Sequence, residues 1–216
     1  MDPLRFAIAA APLGVYFLLI GIIHLRKLPF VTTGARDIAA LGIGISGLMT
    51  IGPLELFFPE AASRSLGYWV WLLVLAFYGL CVALVVLLLR PRIVIYNARP
   101  ERIRSVISEF AFRLDRNCRW VEDTLILPTL NVKFNIEGNR FGNITQLVAI
   151  GGRQSLEGWR TIEKELKQIL ASHEQKRSLI GWLFIGMATT LVLLAGVWMV
   201  WKSDQVAQSF TDLLRL

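Results

Sequence analysis

Two cysteines and two histidines in 216 residues leave little material for a disulfide framework, a zinc centre or a thiol–imidazole pair. Cys81 falls in an apolar run and Cys118 in a polar segment, and both are read as packing residues. His24 and His173 have no second histidine, cysteine or paired acid at ligand spacing, so an interfacial or packing role is expected of each. HExxH, GxSxG, CxxC and the Walker loop are missing too. Catalytic groups can converge from distant positions, so these absences disfavour an enzyme without excluding one. Neither a cofactor nor a metal is implied. The string Gly42-Ile43-Gly44-Ile45-Ser46-Gly47 does spell GxGxxG, but it lies in an apolar run without a preceding strand or a later acidic partner. Its glycines are expected to serve helix packing.

Acidic charge is also short. Sixteen Asp and Glu face 23 Lys and Arg, a formal +7. Residues 90–177 hold 16 of the basic residues and 10 of the acids, which accounts for +6 of that balance. The arginines are dispersed rather than interleaved with aromatics on one strand face, so nucleic acid is not an expected partner. Retention of this segment in the cytoplasm is the leading reading of the excess, with attraction to anionic lipid headgroups the second.

What the chain has in quantity is apolar sequence, at 55% of residues. It is gathered into four runs, 6–25, 38–58, 67–89 and 179–201, each near the roughly 20 residues that cross a hydrocarbon core. Loop 24–37 and segment 90–177 together hold 19 of the 23 basic residues, leaving Arg5, Arg64, Lys202 and Arg215 for the other side. By the positive-inside rule the rich side is cytoplasmic and both termini face outward from the cell (inner) membrane. The first run is expected to remain as a span rather than a cleaved signal, because 1–5 carry one acid and one base. Ala7, Gly14 and Gly21 in the first run, and Gly181, Ala188 and Ala195 in the fourth, repeat every seven residues. Ala40, Gly44 and Gly47 in the second and Ala76 and Ala83 in the third complete a small-residue stripe on every helix, the pattern of helices that associate closely in lipid. Trp69, Trp71, Trp198 and Trp201, with Tyr68, gather where amphipathic rings favour the outer interface.

Segment 90–177 reads as an α+β domain. Residues 92–96 form a buried strand, Pro100 opens a helix with a stripe of Ile103, Val106, Ile107, Phe110 and Leu114, and 130–137 alternate apolar and polar without a break. Shorter strands at 120–121 and 125–127, a hairpin around Gly138-Asn139 and Gly142 into 143–150, and a helix from Ser155 with Trp159, Ile162, Leu166, Ile169 and Leu170 on one face complete it. The expected fold class is therefore an α-helical integral membrane protein. A four-helix transmembrane bundle carries a small β-α-β-β-β-α cytoplasmic domain, 90–177, between spans three and four, and 202–216 follow as an amphipathic tail with Phe210 deepest. No Gly or Pro interrupts 173–178, so the last domain helix is expected to run on into the fourth span.

Few residues invite a functional reading. Glu55 is the one acid well inside an apolar run, beside Pro53, and a carboxylate there costs a few kcal/mol unless hydrated or paired. Reaching the outer headgroups is the favoured reading, and an ion or substrate contact the alternative. Thr33, Gly34 and Arg36 precede or open a helix at the cytoplasmic side, where an ordinary capped turn is the favoured reading and free amides with a guanidinium holding a lipid phosphate the alternative. Phe112 lies opposite the apolar stripe of its helix and is a candidate partner contact. Asn143-Ile144-Thr145 is a glycosylation sequon on a strand expected in the cytoplasm, and is read as chance.

The leading expectation is a non-enzymatic membrane protein whose cytoplasmic domain binds a lipid, an unidentified protein or a second copy and is coupled to the bundle. A small transporter or channel subunit would need polar groups at mid-depth, where the spans offer only Ser46, Thr50, Thr189 and Thr190. A lipid-directed enzyme would need His24, Arg36 and Asp37 gathered in an open cleft.

Overall fold

The computed structural model describes residues 2–54, 67, 69–139, 143–172 and 179–214. In chain order its first elements are α1 (Pro3–Leu25), β1 (Phe30–Thr33), α2 (Gly34–Met49), a π-helical turn (Thr50–Leu54) and α3 (Trp69–Leu88). These are followed by β2 (Arg92–Tyr96), α4 (Pro100–Leu114), β3 (Arg119–Val121), β4 (Thr124–Leu127), β5 (Val132–Asn139) and β6 (Ile144–Ala149). Helices α5 (Leu156–Leu170), α6 (Ile180–Trp201) and α7 (Ser203–Leu214) close the chain. The fold divides into two compact units, one of Met1–Gly21, Ala39–Leu87 and Leu183–Leu216, the other of Ile22–Ile38 and Leu88–Trp182.

The first unit contains the bulk of four helices long and apolar enough to cross a membrane, Pro3–Leu25, Gly34–Pro53, Trp69–Leu88 and Ile180–Trp201. Glycines of α1 and α2 sit where these helices touch, whereas Ala76 and Ala83, the stripe expected on α3, are exposed. Gly14 of α1 faces Val192 and the Ala188 carbonyl of α6, and Gly44 of α2 faces the Tyr16 ring of α1. Gly47 lies directly on the backbone of Ile8 and Ala9, leaving no room for a Cβ. Gly42 meets Val82 of α3, and the Tyr78 hydroxyl donates to the Gly42 carbonyl at 2.6 Å. The glycines of the GxGxxG string thus serve helix contacts. Aromatic rings join α1 to α6 at both levels, Phe6 to Trp198 at 5.5 Å and Phe17 to Phe184 at 5.9 Å. At the end of α2, Pro53 offers no amide to the helical ladder, and the backbone widens into the π-helical turn.

The second unit is built on a six-stranded sheet in the order β1-β2-β6-β5-β4-β3, antiparallel throughout. Between α4 and α5 the chain forms four strands, one more than the expected β-α-β-β-β-α order. Glu122, at φ +56, turns the chain sharply enough for Arg119–Val121 and Thr124–Leu127 to pair as a separate hairpin. The larger difference is β1. Residues expected to form a turn are an edge strand, with Phe30 opposite Tyr96 and Thr33 opposite Ile93. The loop between α1 and α2 is thereby part of the sheet.

One face of the sheet carries the core. Val31, Ile93, Ile95, Leu125, Leu127, Val132, Phe134 and Leu147 are buried with Ile103, Ile107 and Phe110 of α4 and Trp159, Ile162, Leu166 and Leu170 of α5. Helix α5 starts where Ser155 accepts the Gly158 amide at 3.2 Å, as a capping serine should. It closes at Leu170, and the expected continuation through 173–178 lies outside the described residues, as do Glu55, Tyr68, Gly142 and His173. Tail residues 203–214 form α7. The Phe210 side chain is also outside the description.

Candidate functional site

Side chains alternate along a strand, so the residues opposite the core share the second face of the sheet. On β1 and β2 these are Phe30, Thr32, Arg92, Val94 and Tyr96. Thr32, Val94 and Tyr96 are buried there although α4 and α5 lie on the other side. The cover comes from segment 22–38. His24, in the last turn of α1 and 1% exposed, stands edge-on to the Tyr96 ring at 5.6 Å and 77°. The Tyr96 hydroxyl donates a hydrogen bond to Asp37 in the first turn of α2. Next to it, Asn97 adopts the left-handed conformation at φ +58, and its buried amide donates to the Arg26 carbonyl at 2.5 Å. Asparagine tolerates that backbone better than most residues, which suits it to turn the chain and anchor it in one move. Thr145 of β6 extends the clamp by donating to the Ala98 carbonyl at 2.9 Å.

The three candidate headgroup residues sit at the start of α2, each already engaged. Thr33 accepts the Arg36 amide at 3.3 Å as the helix cap. Gly34 lies under the Arg92 side chain, whose closeness excludes a Cβ. The Arg36 guanidinium pairs with Glu163 of α5 at 2.9 Å, and Lys167 reaches the same carboxylate oxygen at 2.6 Å. The structure therefore brings His24 and Asp37 to one tyrosine and sends Arg36 to a carboxylate on α5. Tyr96 is the residue that sequence reasoning missed. Its signal was only that of an aromatic at the end of a buried strand.

A groove of about 300 Å³ is lined by Pro100, Glu101, Arg104, Asp123, Ile136 and Gly138. Its guanidinium is occupied, since Arg104 pairs with Asp123 at 2.8 Å and stacks over Trp120 at 5.1 Å. Cys118 is a poor nucleophile, because burial, and then the Asp115 charge, push its thiol above the usual range. Asp115 is 3% exposed. Burial disfavours its charge, but bonds from the Asn117 amide at 2.9 Å, the Thr129 amide at 2.7 Å and the Thr129 hydroxyl at 2.8 Å outweigh that and hold the carboxyl below its ordinary value. This staple shapes the turn after α4. Among the described residues no three His, Cys, Asp or Glu side chains cluster as metal ligands.

In the apolar helices the four hydroxyls that a transport path would need turn back onto their own backbones. Ser46 donates to Ile43, Thr50 to Ser46, Thr189 to Ile185 and Thr190 to Gly186, each at 2.8 Å. Phe112, by contrast, is 61% exposed on the outer side of α4 with nothing apolar required of it there. The chain is thus defined by four helices of membrane-spanning length and composition and by one six-stranded sheet that incorporates the loop between the first two of them. No protein-family model, curated protein or solved structure matches it.

Proposed function

We propose that the protein is a non-enzymatic, multi-pass membrane protein of the cell (inner) membrane whose α+β domain lies in the cytoplasm and acts as an adaptor or sensor, coupled to a four-helix transmembrane bundle. The observation that carries this reading is the pairing of β1 with β2, reinforced by the Tyr96 contacts to His24 and Asp37. A movement of the first helical hairpin is transmitted to the sheet through hydrogen bonds rather than through a slack linker. The basic-residue partition supports the cytoplasmic side, with both termini outward. Hydroxyls bonded within their own helices favour a solid bundle over a transporter, and a buried His24 with a paired Arg36 favours binding over lipid chemistry.

Phe112 is the proposed contact for a protein partner. A photoreactive residue at Phe112, activated in intact membranes, is expected to give an adduct to a polypeptide. Adducts to lipid alone, or none, would overturn the adaptor assignment. Labelling of a cysteine introduced at the exposed Lys164 from outside intact cells would overturn the orientation.

A further inference from the structure

Consecutive residues of α2 are bonded to opposite faces of the sheet. Asp37 takes the Tyr96 hydroxyl on the second face, while Arg36 pairs with Glu163 of α5, the helix whose Ile162 and Leu166 pack on the core face. Between the two bonds stands β1, at one end of the strand order among the described residues, with Val31 in the core. The first turn of α2 is thus a strap around the end of an edge strand, tied once on each side. Every residue of it belongs to the second unit.

The two ties are unequal. Tyr96 is 6% exposed, and a hydroxyl that donates to a carboxylate out of water makes one of the stronger single hydrogen bonds. The Arg36 side chain is 66% exposed, where an ion pair is weak and is screened by salt. Its partner is in a different position, because the Glu163 side chain is only 12% exposed and a carboxylate so enclosed resists being left without a cation. Lys167 removes that obstacle. Its Nζ lies 2.6 Å from Oε1 of Glu163, the same oxygen that Arg36 meets at 2.9 Å. Glu163 therefore stays paired when Arg36 leaves, and while Arg36 is bound the two cations repel each other across one oxygen.

From this we infer that the first turn of α2 is a conformational device, a strap with an ionic-strength-sensitive latch. Arg36 hands Glu163 over to Lys167, and the turn swings away from α5 about the Tyr96–Asp37 bond, which holds. The strap opens at its exposed tie first because salt weakens that tie and leaves the buried one almost untouched. The inference concerns the second unit alone and stands without the membrane reading.

The test uses the full-length protein in mild detergent with spin labels introduced at Ala35 and Gln168, both exposed, and reads the distance between them by pulsed electron resonance. Raising sodium chloride from about 0.05 M to about 0.5 M should increase a longer-distance population about twofold to fivefold. Glu163→Gln should show that population already at low salt and respond no further. Lys167→Gln, at an exposed position, separates a latch from a passive surface pair. Without Lys167 the enclosed carboxylate has no second cation to turn to, so the salt-induced population should shrink, whereas loss of charge from a passive network would enlarge it. A distribution indifferent to salt in the native protein would overturn the inference, as would a Glu163→Gln variant that matches the native protein at low salt. So would a Lys167→Gln variant that opens more readily.

Discussion

Helices α3 and α5 dispose their apolar side chains in opposite ways. Of the 20 residues in α3 only Val70 is buried, while Leu72, Phe77, Leu80, Leu84 and Leu87 stand in the open. Helix α5 buries Trp159, Ile162, Leu166 and Leu170 on one stripe and keeps Glu163, Lys164 and Lys167 off it. In water the first arrangement would leave an apolar surface far larger than a soluble monomer tolerates. The lesson is that the solvent, not the helix, decides which residues count as core. Along this chain α3 and α5 show the contrast as a change from uniform to one-sided hydrophobicity.

The sharpest way to break this contrast is to remove one large apolar side chain from each region. Phe134, fully buried beside Trp159 at 5.9 Å, should cost about 3–5 kcal/mol when replaced by Ala, enough to expose the sheet unit to limited proteolysis in mild detergent. Leu80→Ala should change the same digestion pattern hardly at all. Equal sensitivity at the two positions would mean that α3 is covered by protein rather than by lipid.

Close approach supplies the next effect in size. A methyl group at Gly47 would overlap the Ile8 carbonyl, so Gly47→Ala should destabilise the contact of α1 with α2 by about 1–3 kcal/mol, read as a lower midpoint in a detergent titration. At Gly52, where no described residue lies within contact, the same substitution should leave the midpoint in place.

Smaller again is the loss of one hydroxyl. Tyr96→Phe keeps the ring against His24 but removes the bond to Asp37, a change of about 1–2 kcal/mol. Amide exchange should quicken together in β1 and in the first turn of α2. Faster exchange in only one of them would show that the tyrosine does not join strand to helix.

The mildest prediction concerns acid. The Asp115 carboxyl is held below its ordinary value, so its stabilisation is complete above the unfolded value of about 3.9 and is lost as pH falls through the lower folded value. The Tm advantage of the native protein over Asp115→Asn should be constant at neutral pH and shrink below about pH 4. An advantage that survives strong acid would mean that the charge does not contribute.

The spans were legible because membrane-crossing length and composition are local properties, readable in any window of 20 residues. Strand β5 was legible for a similar reason, since its alternation from Val132 is unbroken. Strand β1 was not. Four residues after Pro29 carry too short a pattern to stand out, and what makes them a strand is Ile93 to Tyr96, far along the chain. At the candidate site the same limit applied to pairings. Thr33 as a helix cap and Phe112 as an exposed aromatic follow from neighbours in sequence. The meeting of His24, Tyr96 and Asp37 depends on the sheet register and could not be read locally.

That register also sets a timetable. Thr33 pairs with Ile93, so 60 residues are made after β1 before its partner exists. At about 5–20 residues per second, the ribosome keeps the strand waiting for several seconds with an open edge, between two helices of membrane-spanning length and composition. During that interval the first hairpin has only its own helix contacts to hold it, and the edge is open to any other extended segment nearby. A chaperone that binds extended segments has its longest opportunity to act there, before the sheet exists to claim the loop.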